Sequence, residues 1–262
     1  KVDGRDPVAY RLNVDKNTKT YTVEILRGEE VAHSQPDKGT MRGANVECPY
    51  CGTPSERERI ADQGKAGKIN QHLLIVVLYR EDETGRDFRP ATNADRDVYA
   101  LATRRLSEAK ETGFDYWGFE RLLSAVPDEP TPPERSRSIS IRLYGINEWG
   151  EMFNDRQALA LLVFGQQIRA VRELLAQQDE DYAKAVALFL SLVLIKQVVY
   201  NSNAAWWQPG GLKISPTITR HDIQMTWDYA EGNPMSDSSG NFGKQFDLIA
   251  KVMQISLSAR AP

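Results

Sequence analysis

The stretch from Tyr144 to Leu175, YGINEWGEMFNDRQALALLVFGQQIRAVRELL, contains the longest regular apolar stripe in the chain. Its large apolar side chains recur at spacings of three, four, three and four residues. They are Leu161, Phe164, Ile168, Val171 and Leu175. Residues at these spacings lie on one face of a helix, so the stretch predicts a helix over residues 153–176 whose apolar face packs against another element.

The residues before this helix can form its start. Asn154 or Asp155 can accept hydrogen bonds from the free backbone N–H groups of the first turn, and Phe153 can pack back onto the helix. Gly145 and Gly150 allow the bend that leads into the first turn. We therefore expect a capped helix start here, around which the rest of the chain packs.

The overall composition is that of a soluble globular protein. The 262 residues include 41% hydrophobic and 26% charged residues, with a formal net charge of −3. This balance does not indicate a strongly basic nucleic-acid binder, although a local patch can still bind phosphates. Residues 1–11 contain no apolar core of a signal peptide, and the longest apolar run, residues 185–195, is too short to span a bilayer. We expect no membrane contact and a cytoplasmic location.

The first half of the chain predicts short β-strands followed by a helix. Alternating apolar residues at 10–14 and 21–25 flank a polar turn and predict a hairpin. Residues 27–43 are polar and glycine-rich and predict a loop. Residues 73–79 are continuously apolar and rich in β-branched residues, which predicts a buried strand, and residues 93–110 predict a capped helix.

The second half of the chain predicts mainly helices. Residues 181–200 are apolar on nearly all sides, which is typical of a helix enclosed by other helices. A loop over residues 201–216 follows, and the stretches 219–231 and 246–257 predict two further helices.

A proline-rich, charged stretch at residues 127–138 separates the two halves. The sequence therefore predicts an α+β fold in two parts. The first, residues 1–126, is β-rich and zinc-ribbon-like, and the second, residues 139–262, is a mainly helical domain.

The two cysteines, Cys48 and Cys51, lie in the sequence CPYCG, which has the form of a zinc knuckle. A glycine after the second cysteine lets backbone amides point at the thiolates, and both sulfurs can reach one tetrahedral metal ion. Zinc needs four ligands, and the sequence has no second cysteine pair. His33 is a candidate third ligand, and His72 and His221 are weaker ones. We expect half of a structural zinc ribbon, with a redox pair or two ordinary buried thiols as the alternatives.

Sequence motifs of common active sites are absent. The chain has neither a G-x-G-x-x-G nor a P-loop motif, and neither H-E-x-x-H nor G-x-S-x-G. Asp228 and Glu231 lie one turn apart on the predicted helix, but such pairs are usually solvated. Asn233-Pro234 matches the first half of the Asn-Pro-Pro-aromatic motif of amino-methylating enzymes, but Met235 follows, so we reject that match. We expect no catalytic residue in this chain.

Four segments, in this order, resemble one known family. They are GTMRGANVECPYCG (residues 39–52), YGINEWGEMFNDRQALAL (144–161), YNSN (200–203) and MTWDYAEGNPMSDSSGN (225–241). Together they resemble the large adenine-specific DNA methylases that contain a zinc-ribbon module and are often encoded in bacterial and archaeal anti-phage defence loci.

In that family the first zinc knuckle and the S-adenosylmethionine motif lie upstream of the matched region, and the Asp-Pro-Pro-Tyr catalytic motif lies downstream. The resemblance implies that this chain is a non-catalytic region between those motifs. Adenine N6 methylation needs a flipped base, the catalytic motif and a bound methyl donor. We therefore expect S-adenosylmethionine only in the parent enzyme, and no methylation of DNA by this chain alone.

One role for such a region is DNA engagement, in which it helps to recognise or clamp DNA. Arginine contacts phosphates or guanine edges, glutamine reads adenine, and an exposed tryptophan stacks on a base. The candidate residues are Arg135, Arg137, Arg142, Arg156, Gln157, Trp206 and Trp207. The alternative for Arg156 and Gln157 is a structural role at the Trp149 turn, and for the two tryptophans a place in the core.

The other role is that of a structural or protein-interaction module. Its helices would pack against the methylase fold, or bind other defence proteins, without contacting DNA. The near-neutral charge favours this role slightly, because DNA-binding proteins usually have a basic stripe. The salt dependence of any DNA affinity separates the two roles.

Overall fold

The computed structural model describes residues 6–35, 39–42, 45–79, 86–112, 124–134, 136, 138–217, 222–238 and 240–258. This part of the chain is α+β, with small antiparallel sheets and with its longest helices in the second half. The helices are α1 (Glu29–His33), α2 (Arg57–Lys65), α3 (Asn93–Thr112), α4 (Asp155–Ala176), α5 (Glu180–Tyr200) and α6 (Phe242–Ser258). The strands are β1 (Val8–Asp15), β2 (Thr20–Arg27), β3 (Met41–Arg42), β4 (Asn45–Glu47), β5 (Pro54–Ser55), β6 (Ile75–Leu78), β7 (Asp87–Pro90), β8 (Trp206–Gln208) and β9 (Lys213–Ser215).

The predicted N-terminal hairpin is confirmed by β1 and β2, which pair antiparallel along their whole length. Asp15 Oδ1 fixes the turn between them by accepting hydrogen bonds from the backbone N–H groups of Asn17 (2.8 Å) and Thr18 (3.2 Å). The loop predicted at residues 27–43 is interrupted by α1, where the side chain of Val31 is buried.

The remaining strands form three small sheets. β4 lies between β3 and β5, and the cysteine turn joins β4 to β5. The strand predicted at residues 73–79 is present as β6, which pairs with β7, but it is only half-buried and Val77 is exposed. β8 and β9 form a hairpin inside the stretch that was predicted to be a loop.

The two predicted parts of the chain are in contact. α3, predicted at residues 93–110, packs against α4, and Thr103 Oγ1 donates a hydrogen bond to Asp155 Oδ2 (2.6 Å). α2 packs against a 3-10 helix over Ile141–Tyr144. Within the proline-rich connection, Thr131 is buried and its hydroxyl donates to the backbone oxygen of Ile146 (2.8 Å). The connection is therefore packed against the 144–175 stretch at this point.

The predicted central helix is confirmed by α4, which begins directly after Asn154. Its apolar stripe packs against α5, the helix that follows it. Ile168 on that stripe is buried, and the half-buried ring of Phe164 stacks on Phe242 of α6 with a centroid distance of 4.5 Å. Val171 on the same stripe is exposed.

The prediction that the helix at 181–200 is enclosed by other helices is wrong. α5 buries only the narrow face formed by Ala183, Ala187, Val193 and Gln197. On the opposite face Leu188 is 66% exposed. In the part of the chain that the structure describes, α5 packs mainly against α4 and α6, so its other sides remain open to solvent.

α5 also bears on the expectation of no membrane contact. Among the described residues it is the one helix whose length and composition would allow it to cross a membrane, and 22% of its most apolar window is buried. A single helix of this kind is weak evidence for a membrane span.

The predicted helix at 219–231 is wrong for residues 222–231, while residues 218–221 lie outside the described part of the chain. The backbone of this segment bonds to distant segments instead of to itself. Ile223 N donates to Ser138 O (2.7 Å), and Ala230 N donates to Ala205 O (2.9 Å). Long-range packing therefore overrides the local helical pattern. The last predicted helix is confirmed by α6.

Candidate functional site

The start of α4 is held by a reciprocal pair of cap hydrogen bonds. Asn154 Oδ1 accepts a hydrogen bond from Gln157 N (2.9 Å), and Gln157 Oε1 accepts one from Asn154 N (3.0 Å). The side chain of Gln157 is 1% exposed. In this arrangement its carbonyl group is occupied by the helix cap and does not face solvent.

Arg156, the next candidate, forms a two-pronged ion pair with Glu231. Its Nε lies 2.6 Å from Glu231 Oε1, and its Nη2 lies 2.9 Å from Glu231 Oε2. The guanidinium also lies over the ring of Tyr99, at 5.7 Å from its centroid. These hydrogen bonds from Arg156 to Glu231 raise the pKa of Arg156, so the guanidinium stays charged and paired with the Glu231 carboxylate.

Tyr229 completes the group of polar side chains around Asn154. Asn154 Nδ2 donates to the hydroxyl oxygen of Tyr229 (3.0 Å) and to Glu231 Oε2 (2.9 Å). The Tyr229 hydroxyl in turn donates to Gln71 Oε1. Burial raises the pKa of Tyr229 to about 12, so the hydroxyl remains neutral at ordinary pH. We call Asn154, Arg156, Tyr229 and Glu231 the motif cluster.

The motif cluster unites segments that are far apart in the sequence. Asn203, from the 200–203 segment, donates its backbone N–H to Met152 O (2.7 Å). The rings of Tyr144 and Trp227 meet edge-to-face at 5.1 Å. Ile141, Met152 and Ala204 form a small buried core against which Trp149 and Phe153 pack. Three of the four segments on which the family resemblance rests therefore meet in space.

Two buried amide atoms at this junction have no hydrogen-bond partner among the described residues. They are Gln157 Nε2 and Asn203 Oδ1. Leaving a buried polar atom unpaired costs about 1–3 kcal/mol. Departures of this kind from optimal packing are typical of functional sites.

A large cleft opens beside the motif cluster. Its volume is about 3570 Å³, and its walls include β1, the 67–79 segment, the start of α4, and the 201–214 and 224–238 segments. Small-molecule pockets usually measure about 300–1,000 Å³, so this cleft is larger than a typical small-molecule pocket. Its charged lining residues are Arg11, Arg27, Arg86, Arg96, Arg156 and Lys213 with Asp6, Asp95, Glu151, Asp228, Glu231 and Asp237. Cations and anions are therefore balanced along its walls.

The other DNA-binding candidates lie in three places. Trp206, on β8, is 39% exposed, whereas Trp207 is half-buried and meets Phe88 edge-to-face at 6.1 Å. Arg142 is half-buried, and its Nη1 donates to the backbone oxygen of Thr131 (2.6 Å). Arg135 and Arg137 lie outside the described residues. Of these candidates, Trp206 offers the most accessible aromatic surface.

The cysteines lie in a tight turn between β4 and β5. Cys48 N donates to Thr53 O (2.9 Å), and Gly52 N donates to Cys48 O (2.8 Å). Gly52 has φ +72°, in the left-handed region that favours glycine. The backbone of CPYCG thus closes on itself and brings the side chains of both cysteines to one end of a hairpin.

Both cysteines are free thiols, Cys51 exposed and Cys48 half-buried. The Thr53 hydroxyl lies 3.1 Å from Cys51 Sγ, and its hydrogen bond to the sulfur, with further hydrogen bonds in the turn, lowers the pKa of Cys51 and favours the thiolate. Within the described ranges, no group of three or more potential metal ligands occurs, and so neither His33 nor His72 completes a site. His221 lies outside these ranges.

Sequence reasoning overlooked the partners of Arg156. The sequence places Glu231 beside Asp228 on a predicted helix, and no pattern indicates a role for Tyr229. Their proximity to Asn154 comes from long-range packing, and local periodicity contains no signal for it. The one available sign was that both segments belong to the family resemblance.

Comparison with known proteins adds no assignment. No family model matches this chain, and neither a curated protein nor a solved structure matches it.

Proposed function

We propose that this chain is a non-catalytic region of an adenine-specific DNA methyltransferase and that it assists DNA engagement. The observation behind the proposal is the meeting of three motif segments at the wall of a cleft larger than a typical small-molecule pocket. The chemistry of methyl transfer would belong to the parent enzyme, with its S-adenosylmethionine and its catalytic motif. We place this protein in the cytoplasm, as part of a defence system.

The hairpin β8–β9 is the part of the cleft region best suited to contact DNA. Trp206 is exposed on β8, and Lys213 on β9 is exposed and lines the cleft. A tryptophan face stacks on any base, and a lysine on the neighbouring strand of the hairpin can contact a phosphate. Arg156 and Gln157 serve a different purpose in this proposal, because their side chains hold the motif cluster and the helix cap.

The cysteine turn supports a second part of the proposal, a structural zinc site. Gly52 follows the second cysteine in a left-handed conformation, and the hydrogen bonds of the turn favour a thiolate at Cys51. A zinc knuckle requires both features. We propose that Cys48 and Cys51 supply two of the four ligands and that the other two come from the upstream knuckle of the parent enzyme. Bound zinc would hold the two knuckles together as a structural site.

DNA affinity and its salt dependence test the proposal. Fluorescence anisotropy of the 262-residue chain with a labelled duplex of about 30 base pairs is measured between about 50 and 200 mM salt. We expect binding that weakens on the order of tenfold or more over this range, because a few phosphates are neutralised. Trp206→Ala and Lys213→Gln should each raise the Kd about fivefold or more.

Lys184→Gln is the matched control, because it removes the same charge from α5, where Lys184 lies near Glu180 at 3.6 Å. It should leave the Kd within about twofold. Absence of DNA binding at low salt, or equal losses for Lys184→Gln and Lys213→Gln, would refute the proposed role.

A protein-interaction module is the second candidate, and the exposed apolar surface of the helices favours it. On α5 and α6 the exposed large apolar residues are Tyr182, Leu188, Leu192, Ile195, Val198, Phe246, Leu248, Val252, Met253 and Ile255. Surfaces of this kind commonly mark protein contacts. Under this candidate the helices pack on the methylase fold or on other defence proteins, and the anisotropy experiment finds no salt-dependent DNA binding.

A further inference from the structure

Strand β8 has a backbone partner on each of its two sides. Along one side it pairs with β9. Along the other side, Ala230 N donates to Ala205 O (2.9 Å), and Trp206 forms an isolated antiparallel bridge with Tyr229. Trp206 therefore lies in the middle of three extended stretches, and its backbone position depends on both neighbours.

The two tryptophans of β8 face opposite sides, because successive side chains of a strand alternate between its faces. The ring of Trp207 meets Phe88 of β7 edge-to-face at 6.1 Å. Trp206 points the other way and is 39% exposed. Residues directly opposite each other in an antiparallel pair share a face, so the side chain of Tyr229 is on the same face as Trp206. Since Tyr229 lines the cleft, this face borders the cleft.

The side chain of Tyr229 is anchored at its hydroxyl group. The hydroxyl oxygen accepts a hydrogen bond from Asn154 Nδ2 (3.0 Å), and the hydroxyl donates to Gln71 Oε1. Asn154 is 2% exposed and caps α4, so it is a fixed point of the fold. A hydroxyl that both accepts and donates a hydrogen bond is held in one direction. Tyr229 thus connects the start of α4 with the strand that carries Trp206.

We infer that Tyr229 is a positioning residue for Trp206, and that it holds β8 so that the Trp206 indole borders the cleft in one orientation. The inference rests on the proposed function for the nature of the ligand, a DNA base that stacks on this ring. A side chain that is already ordered loses less conformational entropy when it binds. Tyr229 therefore increases DNA affinity through Trp206.

Tyr229→Phe is the variant that tests this inference, because it removes only the hydroxyl group. Asn154 Nδ2 keeps its second acceptor, Glu231 Oε2 (2.9 Å), so the cap of α4 remains in place and the chain should stay folded. Tyr182→Phe is the matched control, since it removes the same group from α5, where Tyr182 is 59% exposed. A difference between the two variants then reports on the place of the hydroxyl in the fold.

The first measurement contains no DNA. The full chain is labelled with 5-fluorotryptophan, and Trp206→Phe identifies the fluorine NMR resonance of Trp206 among those of the five tryptophans. We expect Tyr229→Phe to shift or broaden this resonance, because the ring samples more orientations once the hydroxyl is lost. Tyr182→Phe should leave it unchanged. An unchanged Trp206 resonance in Tyr229→Phe would overturn the inference.

The second measurement is a double-mutant cycle on the Kd for the labelled duplex. Tyr229→Phe should raise the Kd about threefold in the unaltered chain and less than about 1.5-fold in the Trp206→Ala background. Tyr182→Phe should leave the Kd within about 1.5-fold in both backgrounds. Equal losses for Tyr229→Phe in the two backgrounds would overturn the inference, because Tyr229 would then act independently of Trp206. Absence of DNA binding by the unaltered chain refutes the proposed function instead, and the fluorine resonance alone then decides whether Tyr229 positions Trp206.

Discussion

At the scale of single residues, the motif cluster gives Arg156 a clear physical role. Its guanidinium is two-thirds covered and bonds to both oxygens of Glu231, which is itself mostly buried. A forked pair of this kind fixes geometry as well as adding energy. Arg156 and Glu231 thereby tie the start of α4 to the 225–234 segment.

A double-mutant cycle tests that tie. Arg156→Met and Glu231→Gln should each lower the free energy of unfolding by about 1–3 kcal/mol, because each leaves a half-buried charged partner unsatisfied. The double variant should lose less than the sum, with a coupling of about 1 kcal/mol. Urea unfolding measures all four proteins, and strictly additive losses would show that the two side chains do not interact.

The carboxylate of Asp95 leads to a prediction for the pH dependence of the free energy of unfolding. Hydrogen bonds from Arg89 (2.6 and 2.8 Å) and from Thr92 hold the pKa of Asp95 far below its ordinary value. Because the folded-state pKa is lowered, this contribution is fully present well above the unfolded pKa of about 3.9 and is lost progressively as the pH falls from there through the folded-state pKa. Asp95→Asn should cost about 1–2 kcal/mol near pH 7 and measurably less near pH 3, where part of this contribution is already lost.

The measurement is chemical unfolding of both proteins at the two pH values. Glu108→Gln is the control, because Glu108 pairs with Arg105 on an exposed surface and should change stability by less than about 0.5 kcal/mol at either pH. The same loss for Asp95→Asn at both pH values would contradict the account.

At the scale of elements, α4 is positioned by an apolar stripe that packs on α5 and that contacts α6 through Phe164. Phe164 is the largest side chain of that stripe, and its ring stacks on Phe242 with an interplanar angle of 3°. The ring is half-buried, so its removal creates a partly open gap and not a sealed cavity.

Phe164→Ala should therefore lower the free energy of unfolding by about 2–4 kcal/mol. Val163→Ala is a close control, because Val163 is the preceding residue and is 43% exposed, and it should cost less than about 0.5 kcal/mol. Thermal and urea unfolding compare the two variants. Similar costs for both would mean that the stripe does not face α6.

The local sequence pattern predicts those elements whose conformation depends mainly on residues nearby in the chain. The caps and spacings of α3 and α4 and the alternation of β1 and β2 are readable in the sequence because they reflect local backbone chemistry. The segment 222–231 has a helical spacing too, but Ile223 and Ala230 find backbone partners far away. That competition depends on tertiary contacts, so no window of sequence reveals it.

At the scale of the whole molecule, the cleft and the motif cluster were beyond prediction. Their walls come from β1, the 67–79 segment, α4 and the 201–238 region, which the chain brings together only on folding. The family resemblance rests on three of the segments that meet there, but it contains no information on their contacts. The exposed face of α5 was not predicted, because the apolar composition of a helix does not show how many other helices pack around it.

The central claim is that DNA lies along the β8–β9 side of the cleft, and photo-crosslinking tests it most directly. DNA substituted with 5-iodouracil is irradiated with the chain at low salt, and the attached peptides are identified by mass spectrometry. We predict crosslinks concentrated in the 206–215 hairpin, above all at Trp206, which is exposed beside the cleft, and in the neighbouring 224–238 segment of the cleft wall. Trp206→Ala should remove most of the first set. Crosslinks confined to the exposed faces of α5 and α6, or none that saturate with DNA concentration, would contradict the account.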